Sequence, residues 1–319
     1  MLNLICSSRQ ELSSDLLVLT FKSSTGQLPN WQAGQYFNFS TVINGQKVTR
    51  SYSVSNLHAQ ELEILVKVEG EFSQWLFKHC HPKQWIQAQG PLGDFGQALT
   101  QEPCLFIAGG VGLSPILSLL ARRAEQGLIS TDQLIISCQY LQQVPHLEQI
   151  QAWQQQGLKL SIHLSKQASK HHGRLQSSMI QTLCQGPQPQ LLCCGPTGLM
   201  DEFKQAWLQA GKAPEHWHQE TFKVQLQSEK PQQSLMIEFQ GEFFSGNDAE
   251  ILLDQIDQAG LYLSSSCRAG SCGSCRCKLI QGEVEAAQPF YALTEQEEHA
   301  GYILACCARP VTDLVIEAD

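Results

Sequence analysis

Three cysteines sit close together in Cys267-Arg268-Ala269-Gly270-Ser271-Cys272-Gly273-Ser274-Cys275, and a fourth lies downstream in Leu304-Ala305-Cys306-Cys307. C-x4-C-x2-C with a distant fourth cysteine is the ligand spacing of a [2Fe–2S] cluster. Two irons need four converging thiolates, so a tight loop supplies three and a separate strand end the fourth. Gly270 and Gly273 let backbone amides turn inward toward the sulfurs, where hydrogen bonds raise a reduction potential. Zinc and free thiols are the competing readings. Zinc more often shows two C-x2-C pairs, and this loop has a single C-x2-C step. Neighbouring residues on a strand point opposite ways, so only one of Cys306 and Cys307 faces the loop, and alternation alone does not choose between them. Cys277 lies close by and reads as a packing thiol.

Three other segments carry chemistry-bearing residues. Arg50-Ser51-Tyr52-Ser53 sits on a strand-like run, and alternation puts Arg50 and Tyr52 on one face and Ser51 and Ser53 on the other. Gly70-Glu71-Phe72-Ser73 opens a short helix, and helix N-termini bind phosphate through free N–H groups and the dipole. Ala108-Gly109-Gly110-Val111-Gly112-Leu113-Ser114-Pro115 lies between a strand and a helix, where glycines allow backbone to approach a pyrophosphate, although it is not the G-x-G-x-x-G fingerprint. Cys194-Gly195-Pro196 ends another strand.

These segments need elements to hold them. Residues 1–98 show six short β-type runs (2–6, 15–22, 36–43, 47–55, 62–68 and 85–89) with a hairpin signal at Asn44-Gly45, which predicts a small antiparallel barrel interrupted by one helix over 72–80. Residues 99–222 alternate apolar strands (104–108, 134–138, 158–164, 191–194) with helices (114–126, 147–156, 177–184, 199–210), the βαβ pattern of a parallel sheet covered on both faces. Residues 223–232 are polar, contain Pro231 and read as a linker. Residues 233–319 form a third unit, with a hairpin at 235–245, an amphipathic helix over 248–258 and a capping box at Thr294 and Glu297. The expected architecture is therefore multidomain: β-barrel, α/β parallel-sheet domain and a small cysteine-bearing domain.

The chain has 319 residues, 13 cysteines and a formal net charge of −9. An odd cysteine count excludes full intrachain pairing. The absence of a basic, apolar leader at residues 1–6 fits a reducing, cytoplasmic setting. The negative charge argues against nucleic acid. It is concentrated in residues 233–319, which hold 14 Asp and Glu against 4 Lys and Arg, a net −10. Residues 104–121 are uncharged, but Gly109, Gly110, Gly112 and Pro115 break the stretch, so no membrane span is expected.

The cysteine loop, with Gly301-Tyr302-Ile303-Leu304-Ala305-Cys306, resembles plant-type ferredoxins. That resemblance implies a β-grasp fold over 233–319 and makes Cys267, Cys272, Cys275 and Cys306 the iron ligands. The R-x-Y-S and G-x-x-S-x-x-L segments, with Gly90-Pro91-Leu92-Gly93-Asp94-Phe95, resemble the ferredoxin–NADP reductase superfamily. By that resemblance Arg50 pairs with a flavin phosphate, Tyr52 lies against the flavin, Ser53 hydrogen-bonds near its N5, and Gly70 and Ser73 hold the phosphate end; the helix-borne pair favours FAD over FMN. Cys194-Gly195-Pro196 resembles the same superfamily's nicotinamide segment. An extra residue precedes the methionine, so Met200 is not carried over. Gly109, Gly110, Gly112 and Pro115 join the nicotinamide set, and Glu220-Thr221-Phe222 matches a segment placing an aromatic, Phe222, near the flavin. NADH is favoured over NADPH on resemblance alone.

A nicotinamide gives two electrons as hydride and a [2Fe–2S] cluster takes one at a time, so a flavin must stand between them. The order of the three units resembles reductases of hybrid-cluster proteins, and also those of ring-hydroxylating oxygenases and related monooxygenases. The expected partner is a redox-protein acceptor, a hybrid-cluster protein first and an oxygenase component as the alternative. No side chain is expected to serve as catalytic acid or base. The other class of reading is a non-enzymatic metal-binding adaptor with a zinc-filled loop.

Overall fold

The computed structural model describes residues 1–56, 60–167, 173, 175–183, 189–222 and 233–319. The chain divides into two compact units, Met1–Glu220 and Thr221–Asp319.

The first unit opens with β1 (Leu2–Ser13), β2 (Leu16–Ser23), β3 (Tyr36–Ile43), β4 (Gln46–Ser53), β5 (Leu62–Lys67) and β6 (Trp85–Leu92), all antiparallel in the order β4-β3-β6-β1-β2-β5. The two ends of that order meet at the Val54–Ile64 bridge, and Ser55 N donates to Glu63 O at 2.9 Å, so the sheet closes into a barrel. Asn44 and Gly45 join β3 to β4 with φ of 52° and 81°, the two left-handed positions of a type I′ hairpin. Leu4, Phe21, Phe37, Phe39 and Ile64 fill the interior. Helix α1 (Glu71–His79) buries Phe72 and Leu76 against it.

The same unit continues as a parallel sheet of β7 (Cys104–Gly109), β8 (Gln133–Cys138), β9 (Lys159–Leu164), β10 (Gln190–Cys194) and β11 (Trp217–Glu220), in the order β11-β10-β7-β8-β9. Each residue of β7 is buried, as a strand covered on both faces requires. Phe106, Leu134 and Leu192 face one core with α2 (Leu113–Glu125) and α3 (Leu147–Gln155). Leu105, Ile107, Ile135 and Leu191 face the other, with Met200, Phe203 and Trp207 of α5 (Thr197–Gln209). The helix expected over 177–184 is a 3-10 turn, Ser177–Met179, running into α4 (Ile180–Leu183). Cys184, the His171-His172 pair and the linker at 223–232 lie outside the described residues.

One ion pair pins this sheet. Arg123, at the end of α2, and Asp132, before β8, are both fully buried. The guanidinium donates to both Asp132 oxygens at 2.7 and 2.6 Å, to Thr100 O at 2.6 Å and to Glu102 O at 2.9 Å. Asp132 also accepts from Cys104 N at 3.0 Å. Helix end, strand start and the approach to β7 are thus tied at one point.

The second unit holds β12 (Ser234–Phe239), β13 (Glu242–Asn247), β14 (Arg276–Gln281), β15 (Val284–Ala286), β16 (Tyr302–Leu304), β17 (Ala308–Pro310) and β18 (Leu314–Ala318), with a mixed sheet ordered β13-β12-β18-β14-β16 and a β15-β17 ribbon. Helix α6 (Leu252–Gln258) packs Leu252, Leu253 and Ile256 into its core, the β-grasp arrangement. The helix expected from 248 starts later. Gln255 accepts from Asn247 N at 2.7 Å and donates to Asn247 O and Glu250 O, and Asn247 Oδ1 accepts from Ala249 N, so 247–250 close into a turn instead of a first helical turn. The capping box before α7 (Glu295–His299) is present, with Thr294 N donating to Glu297 Oε2 at 2.8 Å.

No helix among the described residues is long and apolar enough to cross a membrane. Residues 104–121 form β7, a glycine turn and most of α2. Removing one partner of the Arg123–Asp132 pair strands a buried charge. Asp132→Ala is expected to lose about 3–5 kcal/mol of stability, read as a lower urea midpoint; a loss below about 1 kcal/mol would mean the pair is not the pin described.

Candidate functional site

The first unit brings Ser53, Ser114, Cys194 and Glu220 together from four different elements. Ser53, the last residue of β4, donates its hydroxyl proton to Glu220 Oε2 at 2.9 Å, and its carbonyl accepts from Ser114 Oγ at 2.7 Å. Glu220 ends β11 and pairs in register with Cys194 at the end of β10. Gly34 N, from the barrel, donates to Ser118 Oγ of α2 at 3.0 Å. Barrel and parallel sheet are therefore joined where the strands β7, β10 and β11 end, the edge at which open parallel sheets take ligands.

Two turns line that edge. A Cβ on Gly195 would stand 2.9 Å from Gly109 Cα, and one on Gly112 would run into the Cys194 carbonyl. The turns 109–112 and 194–196 touch backbone to backbone, and only glycine permits it. Pro115 is buried in the first turn of α2, where its missing N–H costs no hydrogen bond, so it shapes the helix start beside the 109–112 turn.

Arg50 and Tyr52 share a face of β4. Tyr52 packs edge-on against Phe39 (5.8 Å between ring centres) and tilted against Phe72 of α1 (6.1 Å). Burial pushes its phenol above the ordinary range, against the pull of Arg50. Arg50 donates to Thr49 O at 2.8 Å. Gly70 precedes α1, and Ser73 Oγ accepts from Glu69 N and Gly70 N, each at 3.0 Å, while donating to Gly70 O at 2.9 Å. Ser73 thus folds the turn that presents the helix N-terminus, and a Cβ on Gly70 would meet nothing within 4 Å, so the approach to that N-terminus is open. Phe222 is exposed and belongs to the second unit.

Burial and a neighbouring charge shape the titrating groups. Burial first, then the Glu220 carboxylate, raises Cys194 well above an ordinary thiol. Burial raises Glu220 to about 8, opposed by the Ser53 hydrogen bond. The reading from sequence treats Glu220 only as the start of a three-residue match and gives Ser114 no role. Glu220 depends on the register of β11, four residues too short to show a period, and Ser114 on the packing of α2 against β4.

In the second unit the cysteine loop folds as two pairs of sulfurs. Cys267 N donates to Cys272 Sγ at 3.5 Å, and the Cys272 thiol's hydrogen bond, then Ser271 and the Ala269 amide, lower Cys267 to about 5 against the effect of burial. Cys275 and Cys306 form the other pair, in side-chain hydrogen-bonding contact. Ala305 N donates to Cys275 O at 3.1 Å, which brings the downstream strand end to the loop. Arg268 and Gly270 hold φ of 53° and 70°, and Arg268 is tied to Asp254 at 2.7 Å and to Asp257, anchoring the loop on α6. Among the described residues no group of three His, Cys, Asp or Glu closes on a single ion. Two pairs of sulfurs brought to one loop suit the two irons of a cluster. Cys277 is buried on β14, its thiol pushed up to about 12 chiefly by burial.

Comparison with known proteins accounts for the same three parts. The family model of the oxidoreductase FAD-binding domain matches residues 3–96, the oxidoreductase NAD-binding domain residues 106–205, and the 2Fe-2S iron-sulfur cluster binding domain residues 236–311. The chain is a ferredoxin–NADP reductase-family flavoprotein with a C-terminal [2Fe–2S] ferredoxin domain. This reductase works with FAD, a [2Fe–2S] cluster and a pyridine nucleotide, and transfers electrons from NAD(P)H through them. It is similar to the stachydrine N-demethylase reductase subunit of Rhizobium meliloti (22% identical, 98% of this chain and 95% of that one) and to one of the subunits of 1,2-phenylacetyl-CoA epoxidase of Escherichia coli (26%, 91% and 89%). The solved structure of phthalate dioxygenase reductase covers 99% of the chain at a TM-score of 0.70 and 22% identity, a likeness of fold.

The Glu220 carboxyl titrates higher folded (about 8) than unfolded (4.5), so the folded chain holds the extra proton between those values. Stability therefore falls as pH rises through that window. Glu220→Gln is expected to flatten the fall; parallel slopes of thermal midpoint against pH for both proteins would contradict it.

Proposed function

We propose that this reductase serves an oxygenase-type system, taking reducing equivalents from NADH and delivering single electrons to an oxygenase component. The observation that carries the reading is the company the whole chain keeps. Relatives matched over 91% to 98% of it include the reductase of an N-demethylase and a component of an epoxidase. A glycine betaine monooxygenase reductase subunit of Chromohalobacter salexigens, 23% identical, covers 95% of it. The sequence reading placed a hybrid-cluster protein first as acceptor; these relatives favour the alternative.

When bound, the flavin takes a hydride and releases its electrons singly, and the cluster carries one at a time. The chain's residues supply the positions. Arg50 holds a flavin phosphate by charge, the α1 N-terminus framed by Gly70 and Ser73 receives the pyrophosphate, and Tyr52 covers the ring. Ser53, fixed at both its hydroxyl and its carbonyl, points a polar group at the reacting edge. Cys194, Gly195 and Pro196 border the nicotinamide, and the glycines at 109, 110 and 112 give the backbone room beside its pyrophosphate. Cys267, Cys272, Cys275 and Cys306 hold iron.

Rapid mixing tests the partner. Reductase pre-reduced by NADH is expected to reduce oxygenase components of glycine betaine monooxygenase or phenylacetyl-CoA epoxidase faster than it reduces a hybrid-cluster protein; the reverse order overturns the reading. The acidity of residues 233–319 predicts a rate that falls several-fold between about 0.05 and 0.5 M salt, and a salt-independent rate would remove charge from the docking argument. Cys306→Ser is expected to lose the cluster's visible absorption while keeping NADH–ferricyanide activity. Arg50→Ala is expected to lower flavin retention at least tenfold, read from the flavin content of the purified protein.

A further inference from the structure

The cluster loop has a fifth sulfur beside it. Cys307 is fully buried, its Sγ 3.5 Å from Cys306 Sγ. It lies directly under the loop, because a Cβ on Gly270 would stand 2.8 Å from it. Strand alternation would send neighbouring side chains to opposite faces, but 306 and 307 fall between β16 and β17, where Cys307 N turns back to Leu304 O at 2.9 Å. Both thiols therefore reach the same region.

A second residue sets the direction of the hydrogen bond between them. The Gln288 amide nitrogen, a donor only, gives one proton to Ala269 O at 2.7 Å and the other to Cys307 Sγ at 3.4 Å. Cys307 Sγ accepts from Gln288, so its own S–H is left to donate. The acceptor in reach is Cys306 Sγ, which is a bare thiolate once it ligates iron. The two sulfurs thus form a directed relay, from the Gln288 N–H to the Cys307 S–H to the ligand sulfur.

We infer that Cys307 is a positioning residue that raises the cluster's reduction potential by donating a hydrogen bond to its ligand Cys306, with Gln288 fixing the direction of that bond. A donor to a ligand sulfur stabilises the more negative, reduced cluster, so it moves the potential upward. The inference rests on Cys306 as the ligand. Gly270 belongs to the same device: any side chain there displaces the Cys307 sulfur.

The test uses the full-length, cluster-loaded protein and reads iron content and midpoint potential by EPR-monitored titration. Cys307→Ala is expected to keep its iron and shift the potential downward. Cys307→Ser, whose hydroxyl donates from the same place, is expected to recover most of the shift. Gln288→Leu is expected to shift the potential in the same downward direction. An unchanged potential in Cys307→Ala overturns the inference. Iron lost from Cys307→Ala but retained in Cys306→Ala overturns the ligand assignment beneath it instead. If both alanine variants lose iron, the Gln288→Leu potential decides: a downward shift supports the relay and no shift overturns it. Infrared spectra add an independent readout. The S–H band present in the native protein and missing from Cys307→Ser is expected below the frequency of a free thiol, and a free-thiol frequency overturns the relay.

Discussion

Barrel and parallel sheet meet at one serine of the barrel held at both ends by the other half of the unit. Ser53 gives its hydroxyl proton to Glu220 and takes the Ser114 proton on its carbonyl. Reaction between two bound planar rings needs their reacting atoms held within a few tenths of an ångström of a fixed separation. A hinge between barrel and sheet would destroy that. Gly34 on Ser118 adds another tie, and Ser55 and His146 meeting on Glu63, at 2.5 and 2.8 Å, add one more at a distance from the cleft. The ties that cross from barrel to sheet all run between residues more than 60 positions apart in sequence, whereas Ser55 and Glu63 are both barrel residues.

The second unit solves a different problem with different means. It needs three sulfurs from a loop that has no regular structure and a fourth from the chain just after β16. Left-handed residues bend the loop, Arg268 nails it to α6, and Arg276, next to Cys275, reaches Glu297 at 2.7 Å and also Asp319. The acidic groups of this unit are thus partly spent on its own few arginines. The net −10 already counts those arginines, so the pairing fixes where the charge lies without lessening it.

Legibility in the sequence follows the range of the interaction. The cysteine loop, the Asn44-Gly45 hairpin and the Thr294–Glu297 capping box are local patterns, and each is where the spacing predicts it. The β7 and β8 strands are buried on both faces, and their unbroken apolar runs make them equally plain. Non-local features escape. β11 is four residues long and acquires meaning only beside β10. The start of α6 is displaced by the side chain of Gln255, a residue that fits a helix perfectly well. The Arg123–Asp132 pair looks like ordinary surface charge, because the residues that complete it, Thr100, Glu102 and Cys104, come from the distant approach to β7. Gln288 carries no pattern of its own; its amide matters because of what the fold brings to it.

Four of the thiols outside the cluster loop share a chemistry that Cys6, lowered chiefly by its hydrogen bond with Cys80, does not. Burial raises Cys104 to about 12 and Cys138 to about 11, and it lifts Cys193 and Cys194 as well. Peroxide attacks thiolate, not thiol. A protein that handles reducing equivalents in air lives beside its own oxidant, and a cysteine-rich chain would ordinarily corrode there. By keeping Cys104, Cys193 and Cys194 protonated and buried, the fold gives these sulfurs a durability that the cysteine count would not foretell, and Cys194 has it at the very end of β10.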